Sequence, residues 1–175
     1  LVGDGISATR HTTSGTSFTN TTNAPIAVSM SDYQQRIYAA GTASTLFWSN
    51  VGTPSDWTND SSSINIPGAG KLIQVTKIDD RLVTTKNSGI QHRWDGYNLY
   101  DLSTNLGITS TRSFGTVEQF RLGLNTLGVY AYSGARPNLI SNAIEKQIYN
   151  DAGEGIAGTS LNNSEGVIHK YEYML

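Results

Sequence analysis

Gln35-Arg36-Ile37-Tyr38-Ala39-Ala40-Gly41 leads into Leu46-Phe47-Trp48-Ser49. The arrangement returns 45 residues on, counted from Arg36 to Arg81, as Arg81-Leu82-Val83-Thr84-Thr85-Lys86 followed by Asn87-Ser88-Gly89. A third phrase, Leu127-Gly128-Val129-Tyr130 running to Tyr132-Ser133-Gly134, begins 46 residues after Arg81. Each phrase is a β-branched or aromatic run broken by a short polar turn, the mark of a hairpin. A period of this length is that of one four-stranded propeller blade. The spacing therefore predicts an all-β, β-propeller-like fold of about three to four blade units.

Working outward, residues 1–25 read as the end of a preceding unit and a Thr/Ser/Asn-rich loop. Units of the blade kind are expected at 26–71, 72–112 and 113–165, with 166–175 opening a further strand. In the first, Ile26, Val28 and Met30 alternate with Ala27, Ser29 and Ser31, the pattern of a half-buried strand. In the second, Leu72 to Ile78 is a strand, Asp79-Asp80 a turn, Arg81 to Thr85 a strand, and Asn87-Ser88-Gly89 a tight turn into Ile90 to Trp94. One short helix is predicted near 139–149, where Leu139, Ile140, Ala143, Ile144 and Ile148 keep helical spacing and Asn142 with Glu145 fits a capping box. A strand-like phrase at Tyr173-Met174-Leu175 reads as a piece of a longer or processed protein.

Composition narrows the function classes. The 175 residues carry 15 % charged side chains and a net charge of −2, with 18 glycines, which suits a turn-rich β protein and not a disordered one. Without a basic cluster there is nothing to displace counterions from phosphates, so no nucleic-acid partner is expected. Apolar runs are a few residues long, so no membrane insertion is expected. The chain has no cysteine, which removes disulfides, thiolate catalysis and Cys-based zinc sites.

Reactive groups are sparse. His11, His92 and His169 lie far apart in sequence and form no metal-ligand spacing, so structural roles are expected and no metal or cofactor. There is no Gly-x-Ser-x-Gly elbow and no Gly-x-x-x-x-Gly-Lys loop. Asp79 and Asp80 form the one adjacent carboxylate pair, and a turn accounts for them better than glycosidase chemistry, because adjacent strand residues face opposite ways. Asp151 and Glu154 flank a glycine in a loop without the alternating oxygen ligands of a calcium site. No catalytic residue is expected, and the protein reads as a non-enzyme. The residues proposed for ligand or partner contact are aromatic: Trp48, Trp57, Trp94, Tyr97 and Tyr100, as stacking surfaces for sugars or anchors of an interface, with packing between blades as the competing use.

Trp48-Ser49-Asn50-Val51-Gly52-Thr53-Pro54-Ser55-Asp56-Trp57 loosely resembles the Asp-box turn of sialidase-type propellers, with Asn50 for the acid and Trp48 where Ser is expected. That box is a folding element and implies no sialidase activity. Arg36, Arg81 and Arg121 fall about one per unit, as an arginine triad would, yet each lies by a turn where a structural bond is the expected use.

Taken in order, Gln35 to Gly41, Leu46 to Ser49, Pro54-Ser55-Asp56-Trp57, Arg81 to Ile90 and Pro137-Asn138-Leu139-Ile140-Ser141-Asn142-Ala143-Ile144 resemble the β-propeller segment of tail and tail-tip structural proteins of tailed bacteriophages. The likeness spans most of residues 26–148. Thr85 departs from it, since a bulky residue is expected there, and the N-terminal tract has no counterpart. The resemblance implies a virion tail component without a catalytic centre, a rigid scaffold whose partners are other tail proteins, copies of itself, or a host-surface glycan. A carbohydrate-binding propeller, lectin-like or an adhesin and then extracellular, is the alternative, with a glycoside hydrolase or sialidase fragment behind it.

Overall fold

The computed structural model of the chain describes residues 1–12, 17–58, 62–108, 113–117, 120–125, 128–133, 137–141, 167–169 and 172–174. Sixteen strands in five antiparallel sheets make up the described secondary structure, and no helix occurs among the described residues. A short ribbon of β1 (Arg10–His11) and β2 (Thr19–Asn20) comes first. The first four-stranded sheet is a meander of β3 (Ala27–Tyr33), β4 (Arg36–Gly41), β5 (Thr45–Trp48) and β6 (Ser62–Asn65). The second repeats that order with β7 (Leu72–Ile78), β8 (Arg81–Lys86), β9 (Gln91–Trp94) and β10 (Leu99–Ser103). A third is made of β11 (Gly115–Val117), β12 (Phe120–Asn125), β13 (Gly128–Tyr132) and β14 (Asn138–Leu139). β15 (Val167–His169) and β16 (Glu172–Met174) form a final hairpin.

The first two sheets are related by a constant offset of 45 positions that extends to the hydrogen-bond register. Tyr33 faces Arg36 as Ile78 faces Arg81, and Ala40 faces Leu46 as Thr85 faces Gln91. Even the irregularity recurs: the register slips between Ala27 and Ser29, and again between Leu72 and Gln74. A bulge at the same place in both sheets bends each first strand alike. The third sheet is out of step. Its matching two-residue hairpin sets Gly128 opposite Asn125 and joins the second and third strands of its sheet, not the first and second. The phrase at Leu127 thus aligns one residue later than its sequence suggests.

The bulge also overturns the expected alternation of β3. Ala27 and Met30, set on opposite faces by the alternation, pack in one cluster around Trp57, while Ile26 and Val28 are exposed, because the bulge inserts a residue between Ala27 and Ser29. At the other end of the fold, Leu139 lies in strand β14 opposite Tyr130, so the expected helix does not begin there. A ladder partner on β13 outcompetes a local helical turn at that position; residues 142–149 of the expected helix lie outside the described residues.

Side chains join the sheets more than backbone does. β3 and β7 are neighbours without a ladder: the Ser29 hydroxyl donates to the Val75 carbonyl at 3.1 Å and accepts from Val75 N, while Ser31 Oγ accepts from Lys77 N at 2.9 Å. Behind these bonds lies the main apolar core, where Tyr33, Tyr38, Leu46 and Ile66 of the first sheet region meet Leu72, Val75, Leu82 and Trp94. A second core sets Ile78 and Val83 against Tyr130 and Tyr132, and a third packs Trp57 on Ala27 and Ala39.

Candidate functional site

The five aromatic residues singled out in the sequence do not form one surface. Tyr33, Tyr38, Trp48 and Trp94 make a continuous ladder of rings, with centroids 5.9, 5.9 and 5.6 Å apart, that crosses from the first sheet to the second. Trp94 is 4 % exposed and Trp48 is half-buried against the same core, so their faces are taken up by each other. Trp57 is buried on the opposite side of the first sheet. Only Tyr97, 88 % exposed, and Tyr100, 41 % exposed, present rings to solvent.

Those two tyrosines are held at the tip of the β9–β10 hairpin. The Asp95 carboxylate accepts from the backbone N–H groups of Tyr97 and Asn98 at 2.9 and 2.7 Å, and these bonds hold its carboxyl below the usual range. Arg93 lies beneath Tyr100, its guanidinium carbon 4.4 Å from the ring centroid. Across the sheet boundary, Gln34 Nε2 donates to the Asp95 carbonyl. Gln34 and Gln35 both have positive φ (47° and 59°), the pair of left-handed residues a two-residue type I′ hairpin demands, although neither is Gly or Asn.

The Trp48–Trp57 segment is a structural loop. Asn50 N donates to the Asp56 carbonyl, Gly52 N to Gln35, and the Asp56 carboxylate accepts from Thr58 N and its hydroxyl at 3.0 and 2.6 Å. Fully buried Ser49 closes the strand by accepting from Ile37 N at 2.9 Å, as Ser141 does for Val129 N in the third sheet. Arg36 donates to the Ser49 carbonyl at 2.7 Å. Arg121 instead lies over Phe114, 4.5 Å from its centroid, where burial pushes its guanidinium down to about 10. Arg81 sits exposed at its own hairpin, and the three arginines form no triad.

Carboxylates and histidines are likewise dispersed. Asp79 and Asp80 occupy the β7–β8 turn. His11 bonds the Thr21 hydroxyl at 3.0 Å. Asp151, Glu154 and the side chain of His169 lie outside the described residues, and among the described residues no group of three metal-ligating side chains occurs. Two open crevices, of about 180 Å³ by Val2, Arg10 and Phe18 and about 210 Å³ by Asp101 and Leu106, are smaller than ordinary small-molecule pockets of roughly 300 Å³ or more.

Sequence reasoning missed the polar interior of the second sheet. Thr84, Thr85, Lys86, Gln91 and His92 are all at most 2 % exposed. On the face toward the third sheet, Gln91 Nε2 donates to the Tyr132 hydroxyl at 2.8 Å, which donates to the Leu106 carbonyl at 2.5 Å. On the face toward the first, His92 Nε2 lies 3.2 Å from Asp101 Oδ1 and Lys86 Nζ donates to the Gly68 carbonyl at 2.5 Å. Nothing in Gln91-His92-Arg93 signals burial locally; it follows from the sheet being covered on both faces. No protein-family model matches the chain, and no curated protein matches it significantly.

Proposed function

We propose that this chain is a propeller-like segment of a structural protein in the virion tail of a tailed bacteriophage, a rigid scaffold that contacts neighbouring tail subunits or the host surface and carries out no catalysis. The carrying observation is the 45-residue unit repeated in register and in its bulge, which supports stacked, interchangeable four-stranded blades. Two features of the site agree with a scaffold. The Trp residues are spent on packing, and the carboxylates seen bonding at Asp56 and Asp95 secure their own turns. The tail assignment itself is supported by the collinear sequence phrases between residues 26 and 148.

Light scattering coupled to size-exclusion chromatography, with negative-stain microscopy of the same fractions, tests this reading. A closed ring of several chains or a ring-shaped propeller particle is expected. A folded monomer without ring outline that binds glycans would favour the carbohydrate-binding reading, for which exposed Tyr97 and Tyr100 speak. Loss of glycan binding in Tyr97→Ala, with folding intact, would decide for it.

A further inference from the structure

His92 is placed where a proton is hard to accept. It is 2 % exposed, and its pairing with Thr84 on β8 puts it on the same face as Leu82 and Trp94, toward the first sheet. Nε2 faces Asp101, which leaves Nδ1 buried with no hydrogen-bond partner. Neutral imidazole tolerates this, with its one proton on Nε2; imidazolium needs a second acceptor at Nδ1. The nearby charges oppose each other. Lys86, from β8, is 1 % exposed and bonds one backbone carbonyl, and no carboxylate pairs with it among the described residues. Asp101, from β10, favours the imidazolium, but its side chain is 85 % exposed and its attraction is screened by water. β7 contributes Leu72 and Val75 to this face and, at its end opposite Leu82, exposed Lys77, while the first sheet region contributes Tyr38, Leu46 and Ile66, none of which is charged at neutral pH.

We propose that His92 is an acid-sensitive latch: at neutral pH it seals the packing of the first sheet on the second, and protonation at Nδ1 beside the Lys86 ammonium loosens that packing. Burial and Lys86 both push the imidazole below its ordinary value and outweigh Asp101, in agreement with the geometry. The sign follows. Above about pH 6.5, the free imidazole value, His92 is neutral folded and unfolded and the latch is intact. As pH falls further the unfolded chain takes the proton first, so stability is lost until the lower folded value is passed.

Denaturant unfolding of the full chain between pH 7.5 and 5, with near-UV circular dichroism of the Trp48–Trp94 stack as local readout, tests the latch. The folding constant should fall by up to about tenfold per pH unit below about pH 6.5, the limit for one proton, with the Trp signal weakening alongside. Asp101→Asn, at an exposed site that leaves the fold intact, should carry the decline further, because the opposing carboxylate is gone. Lys86→Met should make it shallower, and His92→Gln should abolish it. A flat wild-type profile in this window overturns the proposal, as does a His92→Gln profile as steep as the wild type's. If His92→Gln does not fold, NMR titration of the His92 imidazole in the wild-type chain decides, and a value at or above about 6.5 overturns the proposal.

Discussion

In the first sheet, positions 39, 40, 41, 46 and 47 hold Ala39, Ala40, Gly41, Leu46 and Phe47. Forty-five positions on, in the same register, the second sheet holds Thr84, Thr85, Lys86, Gln91 and His92. One backbone pattern thus carries an apolar interior in one copy and a polar interior in the next. The backbone does not require either choice, because the ladder satisfies its own N–H and C=O groups whatever the side chains are. What differs is how each interior is made tolerable. Leu46 needs only apolar neighbours, whereas Gln91 needs Tyr132, and Tyr132 needs Leu106, from the chain beyond the second sheet. The second sheet is therefore committed to its third-sheet neighbour in a way the first is not.

The largest effect should come from cutting the aromatic ladder that both sheets share. Trp94→Ala removes a buried ring stacked on Trp48 and should destabilise by about 3–5 kcal/mol in denaturant unfolding. Next comes forcing the second sheet's chemistry on the first. Leu46→Gln places an amide in an apolar cluster with no partner and should lose about 3 kcal/mol; a loss below 1 would mean that the first interior is as permissive as the second. The reverse exchange is predicted to be mild. Gln91→Leu removes an unpartnered Oε1 but also the Nε2 bonds to the Tyr132 and Thr85 hydroxyls, while Tyr132 keeps its own donor bond to Leu106, so the loss should be about 1–2 kcal/mol, less than for Leu46→Gln. Smallest is Gln35→Gly. Glycine relieves a left-handed residue at the hairpin and should raise stability by about 0.5 kcal/mol, read as a small rise in Tm.

The same comparison shows which parts of the molecule could be read in advance. Strand positions were legible because turns punctuate them: Asp79-Asp80 closes the β7–β8 hairpin and Gly89, at φ 88°, turns the chain into β9. The alternation around Ile26 to Ser31 misled, since a bulge leaves no compositional mark and sets Met30 with Ala27 instead of with Ile26 and Val28. The helical spacing at Leu139 misled for a related reason: in a two-residue strand, pairing with β13 fixes the conformation, and pairing is not a local property. Of the aromatic candidates, Trp48, Trp57 and Trp94 belong to the core and Tyr97 and Tyr100 to the surface, a division set by which rings fall between sheets. Burial of His92 and Lys86 has no local mark in the sequence and shows only once both faces of their sheet are covered.

The serine bonds between β3 and β7 carry a mechanical consequence. Two neighbouring sheets joined by the Ser29, Ser31 and Gln34 side chains, the Leu72 N to Ala43 carbonyl bond and apolar contact, with no ladder between them, should part under load before either sheet unravels. A chain stretched from its ends should then lengthen in discrete steps, each releasing one repeat of 45 residues, or about 150 Å of extended polypeptide. Force spectroscopy on the chain would show this as a sawtooth with roughly equal spacing. A chain built this way would yield under strain in instalments while the remaining sheets keep their shape.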